Sequence, residues 1–112
     1  MVPGDVLSLA DVEAEIQRLV GAMEAATDEF AELGTKAGEA EVAYKRAHAF
    51  AYLAADGPVV SREAQADLGA ADELLARRYA EVAFDACKER LRTIRTALDA
   101  CRTIAANARG QS

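Results

Sequence analysis

Asp56-Gly57-Pro58 lies midway along a chain of 112 residues and separates two stretches with a helical pattern. Glycine is common just past the end of a helix, and a proline behind it cannot continue that helix. On both sides of this turn, apolar residues recur at steps of three and four, as along one face of a helix. We therefore predict an all-α protein, a long antiparallel helical hairpin of coiled-coil type. Its single domain, 1–112, comprises helix 1 over about 8–55, a turn over 56–60 and helix 2 over about 61–109.

Helix 1 carries a heptad seam that continues without a slip. Ser8 is a good N-cap, and Asp11 takes the reciprocal position in the first turn. Gly34 and Gly38 permit a kink or a short break, but the seam stays in phase across them, which favours a continuous helix. The seam consists of Leu9, Val12, Ile16, Leu19, Met23, Ala26, Phe30, Leu33, Ala37, Ala40, Tyr44, Ala47, Ala51 and Ala54.

Helix 2 is predicted to begin with Ser61 as its N-cap and Glu63 in its first turn. Its apolar pattern leaves strict heptads between Tyr79 and Cys87, a stutter that locally straightens a supercoil. Gly110 ends the pattern. The predicted seam consists of Ala64, Leu68, Ala71, Leu75, Tyr79, Val82, Ala86, Cys87, Leu91, Ile94, Leu98, Cys101, Ala105 and Ala108.

Folding the chain at the turn decides which residues of the two helices face each other. Residues 1–56 carry 11 acids and 4 bases, whereas residues 57–112 carry 8 acids and 9 bases, so the two helices attract when laid antiparallel. The predicted facing pairs are Phe30 with Cys87, Tyr44 with residue 73, Arg102 with Glu15, and Lys88 with Glu29.

The core of such a hairpin is thin, because 27 of the residues are alanine and alanine buries little apolar area. Thin cores favour self-association, so we expect a homo-oligomer, a dimer in a four-helix arrangement. The candidate residues for the hairpin or oligomer seam are Leu9, Val12, Ile16, Leu19, Met23, Phe30, Leu33, Tyr44, Leu91, Ile94 and Leu98.

Tyr44, His48 and Tyr52 are spaced by four and form one stripe on helix 1. With Lys45 and Arg46 beside them, such rings could stack on the bases of a single strand. The interpretation that we favour places them half-buried at the edge of the helix-helix seam. His48 is the only histidine, and neither cysteine is near it at ligand spacing, so no metal site is predicted.

A second group of candidate ligand-binding residues is basic and lies on helix 2. Lys88, Arg92, Arg95 and Arg102 share one face, and Arg109 continues it. The stripe could contact phosphate backbones, but a net charge of −6 argues against a protein that coats nucleic acid. We favour a coiled-coil flank that pairs with the acidic strip of helix 1. Any nucleic-acid contact is expected to be weak.

No residue pattern indicates catalysis or a cofactor, because no Ser-His-Asp order, Gly-rich phosphate loop or metal motif is present. Cys87 lies on the seam, and along one helix Cys101 is roughly 21 Å from it, beyond disulfide reach. Two reduced cysteines, no signal-peptide features and no membrane-length apolar run predict a cytoplasmic protein. We expect no enzyme, no cofactor and no membrane contact.

A family resemblance covers roughly residues 40–109 and is carried by Tyr44-Lys45-Arg46-Ala47, Ala51-Tyr52-Leu53, Gly57, Val60, Arg62-Glu63, Ala66, Leu91 to Arg95, Arg102-Thr103-Ile104 and Ala108-Arg109. These stretches resemble small α-helical proteins of phages that infect actinobacterial hosts. Arginine outnumbers lysine ten to three, which suits a high-GC genome. Members of that group are often encoded near recombination and replication genes. The resemblance implies an accessory role in DNA metabolism within the bacterial host cell.

Three functions are consistent with these features. The first is a non-enzymatic phage accessory protein that self-associates and works through an unknown protein partner in DNA recombination or replication, with weak single-strand contact. The second is a virion structural component or an assembly chaperone built from a helical hairpin. The third, a small secreted effector of helical-hairpin type, is disfavoured because such effectors carry a Trp-x-Gly turn and this chain has no Trp.

Overall fold

The computed structural model describes residues 8–110, nearly all of which are helical. Three helices follow one another: α1, Leu9–Ala54; α2, Val59–Gly69; and α3, Ala71–Gly110. The predicted all-α class and the helical hairpin are confirmed. Long-range contacts divide the chain, which the sequence predicts as a single domain, into two compact units, each described by itself below.

The first unit comprises Met1–Glu29 and Cys87–Ser112 and pairs the start of α1 with the end of α3. Its core is a narrow row of small and medium apolar side chains. Within this row, the thiol of Cys87 donates a hydrogen bond of 3.5 Å to the carbonyl oxygen of Ala26. The fully buried residues of this unit are Val12, Leu19, Ala26, Cys87, Leu98 and Ala105.

The second unit, Phe30–Ala86, packs the remainder of α1 against α2 and the start of α3. Its largest core contact is a stacked pair, Phe30 and Phe84, with ring centroids 4.8 Å apart. Gly34 lies under this pair, since a Cβ there would be 3.2 Å from the Phe84 ring. The other fully buried positions are alanines, and they let the helices approach closely: Ala55, Ala66 and Ala70.

The two predicted N-caps have opposite outcomes. Ser8 caps α1 as expected: its hydroxyl accepts from the Asp11 amide at 3.1 Å, and the Asp11 carboxylate accepts from the Ser8 amide at 3.3 Å. The Ser61 cap is wrong, because α2 already begins at Val59 behind Pro58 and has no side-chain cap. Pro58 takes the N-cap position, and its ring offers no oxygen that could accept from the first amides of α2. Because α2 begins two residues before Ser61, the predicted place of Glu63 in the first turn is wrong as well.

The turn between α1 and α2 has the predicted chemistry. Gly57 has φ +98°, a left-handed conformation that favours glycine. Gln65 reaches back from α2 and donates to the carbonyl oxygen of Asp56 at 2.9 Å and to the hydroxyl of Ser61 at 3.0 Å. The first of these bonds satisfies the carbonyl oxygen of Asp56, which lies in the turn just past the end of α1.

Helix continuity differs from the prediction in one place. α1 passes Gly34 and Gly38 without a break, as favoured. Helix 2, predicted as one element over about 61–109, is instead two helices that meet at Ala70. The backbone comes so close to α1 at this point that a Cβ on Gly69 would lie 2.8 Å from the Cβ of Ala51. Gly69 permits this approach, and the chain changes direction at the next residue.

The seam predicted for the first half of helix 2 is wrong. Its seven members from Ala64 to Ala86 are all exposed. The inward positions run instead at steps of four and three in phase with Cys87, so the predicted stutter is absent. This part of α1 is rich in alanine and glycine, and the positions that face it are three alanines, one phenylalanine and two charged residues that pack through their aliphatic stems. They are Ala66, Ala70, Glu73, Arg77, Ala80 and Phe84.

Candidate protein-interaction surface

Large apolar side chains that remain exposed are concentrated in the second unit. Of the ten in residues 8–110, only Ile104 lies in the first unit. Single exposed apolar residues are ordinary on a soluble protein, whereas clusters of them mark surfaces for other molecules. The nine in the second unit are Val42, Phe50, Leu53, Val59, Val60, Leu68, Leu75, Tyr79 and Val82.

One cluster follows α3 and is called the outer stripe: Leu75, Tyr79, Val82 and Ala86. Steps of four, three and four place the stripe on one face, roughly opposite the inward positions of the same helix. The relative exposures of its large members are 52% for Leu75, 68% for Tyr79 and 67% for Val82. These residues belong to the predicted seam of helix 2, and the structure places them on its solvent side.

A second cluster surrounds the turn and is called the turn patch: Phe50, Leu53, Val59 and Val60. The end of α1 supplies the first two residues and the start of α2 the others. Leu53 is 77% exposed and Val60 is 80% exposed. None of these four belongs to a predicted seam or interaction surface. The signal was available, because all four lie outside the heptad seam of helix 1 or in the turn.

The ring stripe of α1 is engaged within its own unit. His48 Nε2 lies 3.2 Å from Asp67 Oδ1 on α2, and the His48 ring is 5.9 Å from that of Tyr44. The Arg77 guanidinium lies over the Tyr44 ring at 4.8 Å, a cation–π arrangement. Tyr52 has Arg62 above its ring at 5.9 Å. The rings therefore lie half-buried at the edge of the seam, where the favoured interpretation puts them.

The candidate seam residues lie between the helices of the hairpin. Three of them, Val12, Leu19 and Leu98, are fully buried. The remaining eight are half-buried: Leu9, Ile16, Met23, Phe30, Leu33, Tyr44, Leu91 and Ile94. Packing inside the chain therefore engages the whole set.

The basic residues proposed for nucleic acid are all exposed on α3. Arg95 and Arg102 line a groove of about 410 Å³ with Leu98, and two carboxylates, Glu24 and Asp99, line it as well. These acids lower the positive potential that a phosphate would meet. The other two members differ in their contacts: Arg92 forms an ion pair of 2.8 Å with Glu89, and Lys88 also has a partner within the chain.

The flank between the helices uses Arg109, a member of the predicted basic stripe, and Arg90, which lies outside it. Glu29 pairs with Arg90, and this hydrogen bond raises the pKa of Arg90. Glu13 pairs with Arg109 at 2.9 Å. Phe30 stacks on Phe84, three residues before its predicted partner Cys87, so the predicted register is wrong by about one turn of helix at that point.

Glu15 is not paired with Arg102 either. Arg18, three residues further along the same helix, donates two hydrogen bonds of 2.7 Å to its carboxylate. This contact holds the pKa of Glu15 below its ordinary value and raises the pKa of Arg18. Because Arg18 on α1 already binds the Glu15 carboxylate, Glu15 forms its ion pair within α1 instead of across to α3.

Within residues 8–110, no three His, Cys, Asp or Glu side chains are grouped so that they could hold a metal ion. None of the helices in that range is both long enough and apolar enough to cross a membrane. Cys87 and Cys101 are free thiols, the first buried and the second half-buried.

Comparison with known proteins gives no match. No protein-family model fits the sequence, and neither a curated protein nor a solved structure is significantly similar to it.

Proposed function

We propose that this protein is a non-enzymatic helical hairpin that self-associates and acts through protein partners. The observation that carries the proposal is the division of its apolar residues. The predicted seam is used inside the chain, while nine large apolar side chains of the second unit face solvent. An apolar surface of this kind is retained on a small protein when another molecule covers it.

The free energy that burial of these side chains would contribute supports an interaction role. Complete burial of a Val, Leu or Phe side chain contributes roughly 1.5–3 kcal/mol. When several residues of the outer stripe or turn patch become buried on two molecules, the free energy gained is comparable with the ~4–15 kcal/mol that association costs. Self-association that depends on protein concentration, with a second partner on the remaining surface, is the expected behaviour.

The process that we propose is phage DNA recombination or replication, and it rests on the resemblance over roughly residues 40–109. Contact with single-stranded DNA is a minor part of this proposal. Carboxylates share the groove of Arg95 and Arg102, Arg92 is paired with Glu89, and the net charge is −6. A role in the virion or in its assembly is the alternative, since a self-associating hairpin serves that purpose equally well.

The primary experiment measures mass in solution across a concentration series by light scattering and sedimentation equilibrium. The monomer has a mass of 11.9 kDa, and we expect a shift to twice that value as concentration rises. A monomer at every concentration would refute the self-association part of the proposal. Titration of a labelled single strand at low and moderate salt tests DNA contact, with Arg95→Asp as the variant that should lose it.

The biological process is tested in an actinobacterial host that produces the tagged protein during phage infection. Capture of recombination or replication proteins supports the leading role. Recovery of the protein in purified particles selects the virion role instead. A variant with Tyr79→Ser and Val82→Ser serves as the bait control, because it removes exposed apolar surface without touching the residues that pack between the helices.

A further inference from the structure

We infer that the outer stripe is a two-fold dimer face, on which α3 of a second copy of this chain packs antiparallel. This inference rests on the proposed self-association and names its surface and register. In that register Tyr79 faces Val82 of the second copy and Leu75 faces Ala86. In each facing pair, a larger side chain therefore packs on a smaller one.

The spacing of the outer stripe fits a helical partner. Exposed apolar residues at steps of four, three and four are the core positions of a coiled coil. On the other side of the helix, Ala80 and Phe84 are half-buried, and Phe84 stacks on Phe30 of α1. The start of α3 therefore has two apolar faces, and the chain itself covers only one of them.

Charge complementarity identifies the partner as a second copy. Arg78 and Asp85 are exposed on the same flank of the stripe, seven residues apart. When two copies of α3 run antiparallel about an axis between Tyr79 and Val82, each Arg78 faces Asp85 of the second copy, and the symmetry creates two opposite-charge pairs. A parallel pairing would instead bring Arg78 beside Ala83.

The remaining flank is consistent with the same axis. Ala76 and Ala83 are exposed there, also seven residues apart, and they allow the two helices to approach closely. Asp85 has a contact within its own chain as well, and a carboxylate accepts more than one donor. The flanks carry one positive and one negative charge, so they match themselves better than a strongly acidic or strongly basic partner.

The test uses two variants of the full-length protein, each of which reverses one charge of the Arg78–Asp85 pair. Arg78→Asp and Asp85→Arg each place like charges opposite each other in a homodimer, and we expect each to dimerise about tenfold more weakly. Mixing the two variants should form a heterodimer, because every facing pair is then of opposite charge. Native mass spectrometry distinguishes the heterodimer by mass, and Lys45→Asp on α1 is the control with the same charge change as Arg78→Asp.

A second variant does not depend on charge. Tyr79→Ser with Val82→Ser should weaken the dimer by at least about a hundredfold, while the helix content measured by circular dichroism stays that of the native chain. A dimer that persists in this variant, or a mixture that gives no heterodimer from folded chains, would overturn the inference while leaving self-association standing. If the wild-type chain is monomeric at every concentration, the result refutes the self-association in the proposed function, and the dimer face falls with it.

Discussion

Gly69 is the position at which a single methyl group should have the largest effect on stability. The substitution Gly69→Ala places a Cβ 2.8 Å from the Cβ of Ala51. Two carbons are at their optimum about 3.5–4.0 Å apart, so α1 and α2 must separate locally by about 1 Å. That movement loosens Ala66 and Ala70, both of which are completely buried.

The expected net change follows from two opposing effects. Overpacking of a close helix contact costs about 1–3 kcal/mol. Alanine is a better helix former than glycine by about 1 kcal/mol in a helix interior, and by less at the last residue of a helix such as α2. We therefore expect Gly69→Ala to lower the free energy of unfolding by about 1–2 kcal/mol.

The matched control is Gly38→Ala. Gly38 is also helical and lies in the same unit, but a Cβ there meets nothing within 4 Å. The helix preference then acts alone, and the free energy of unfolding should rise by about 1 kcal/mol. Opposite signs for the same chemical change at two helical glycines would identify the close approach as the cause.

The assay is urea unfolding followed by far-ultraviolet circular dichroism, at one protein concentration because the proposed self-association would add to stability. A double-mutant cycle with Ala51→Gly sharpens it. Removing the facing methyl should relieve the crowding, so Gly69→Ala should cost much less in that background. If Gly69→Ala stabilises the protein as Gly38→Ala does, or if the cycle shows no coupling, the close approach of α1 and α2 is refuted.

Three further predictions follow from the same contacts. Phe84→Ala removes half of a stacked pair and should cost about 2 kcal/mol in urea unfolding, less than a fully buried phenylalanine; an unchanged midpoint would contradict the packing. Ser8→Ala should cost about 1 kcal/mol and Ser61→Ala much less, because only the first is an N-cap; thermal melts of the two variants should rank them in that order. Charge reversal at Arg92 and Arg95 should leave stability within about 0.5 kcal/mol, as expected for surface sites, and a larger loss in urea would show that these arginines hold the hairpin together.

The sequence was sufficient to predict α1 in detail. Its seam is formed by a single unbroken set of apolar residues, so only one face can be inward. Every seam position from Leu9 to Ala51 is buried or half-buried. The reciprocal bonds of Ser8 and Asp11 and the left-handed Gly57 also follow from local chemistry. Such features depend only on residues a few positions apart along the chain, so they can be predicted from the sequence.

The second half of the hairpin could not be assigned in the same way. The start of α3 has apolar or small residues at heptad spacing on two faces, one through Leu75 and Tyr79 and the other through Ala80 and Phe84. Side-chain size favoured the first face, and the structure uses the second. The deciding factor lies on α1, where Gly34 leaves room for the Phe84 ring, and a tertiary contact of this kind cannot be read from α3 alone.

The residues of α3 that were wrongly assigned to the hairpin seam form the proposed interaction surface. A helix with two apolar faces needs two partners, and α1 covers only the face of Ala80 and Phe84. If Leu75, Tyr79 and Val82 had only to keep a monomer soluble, polar residues would serve better at these positions. Their apolar character is explained when another helix covers them. The symmetric placement of Arg78 and Asp85 beside the outer stripe makes a second copy the partner that fits, and the heterodimer formed from two charge-exchanged variants is the result that no other partner would give.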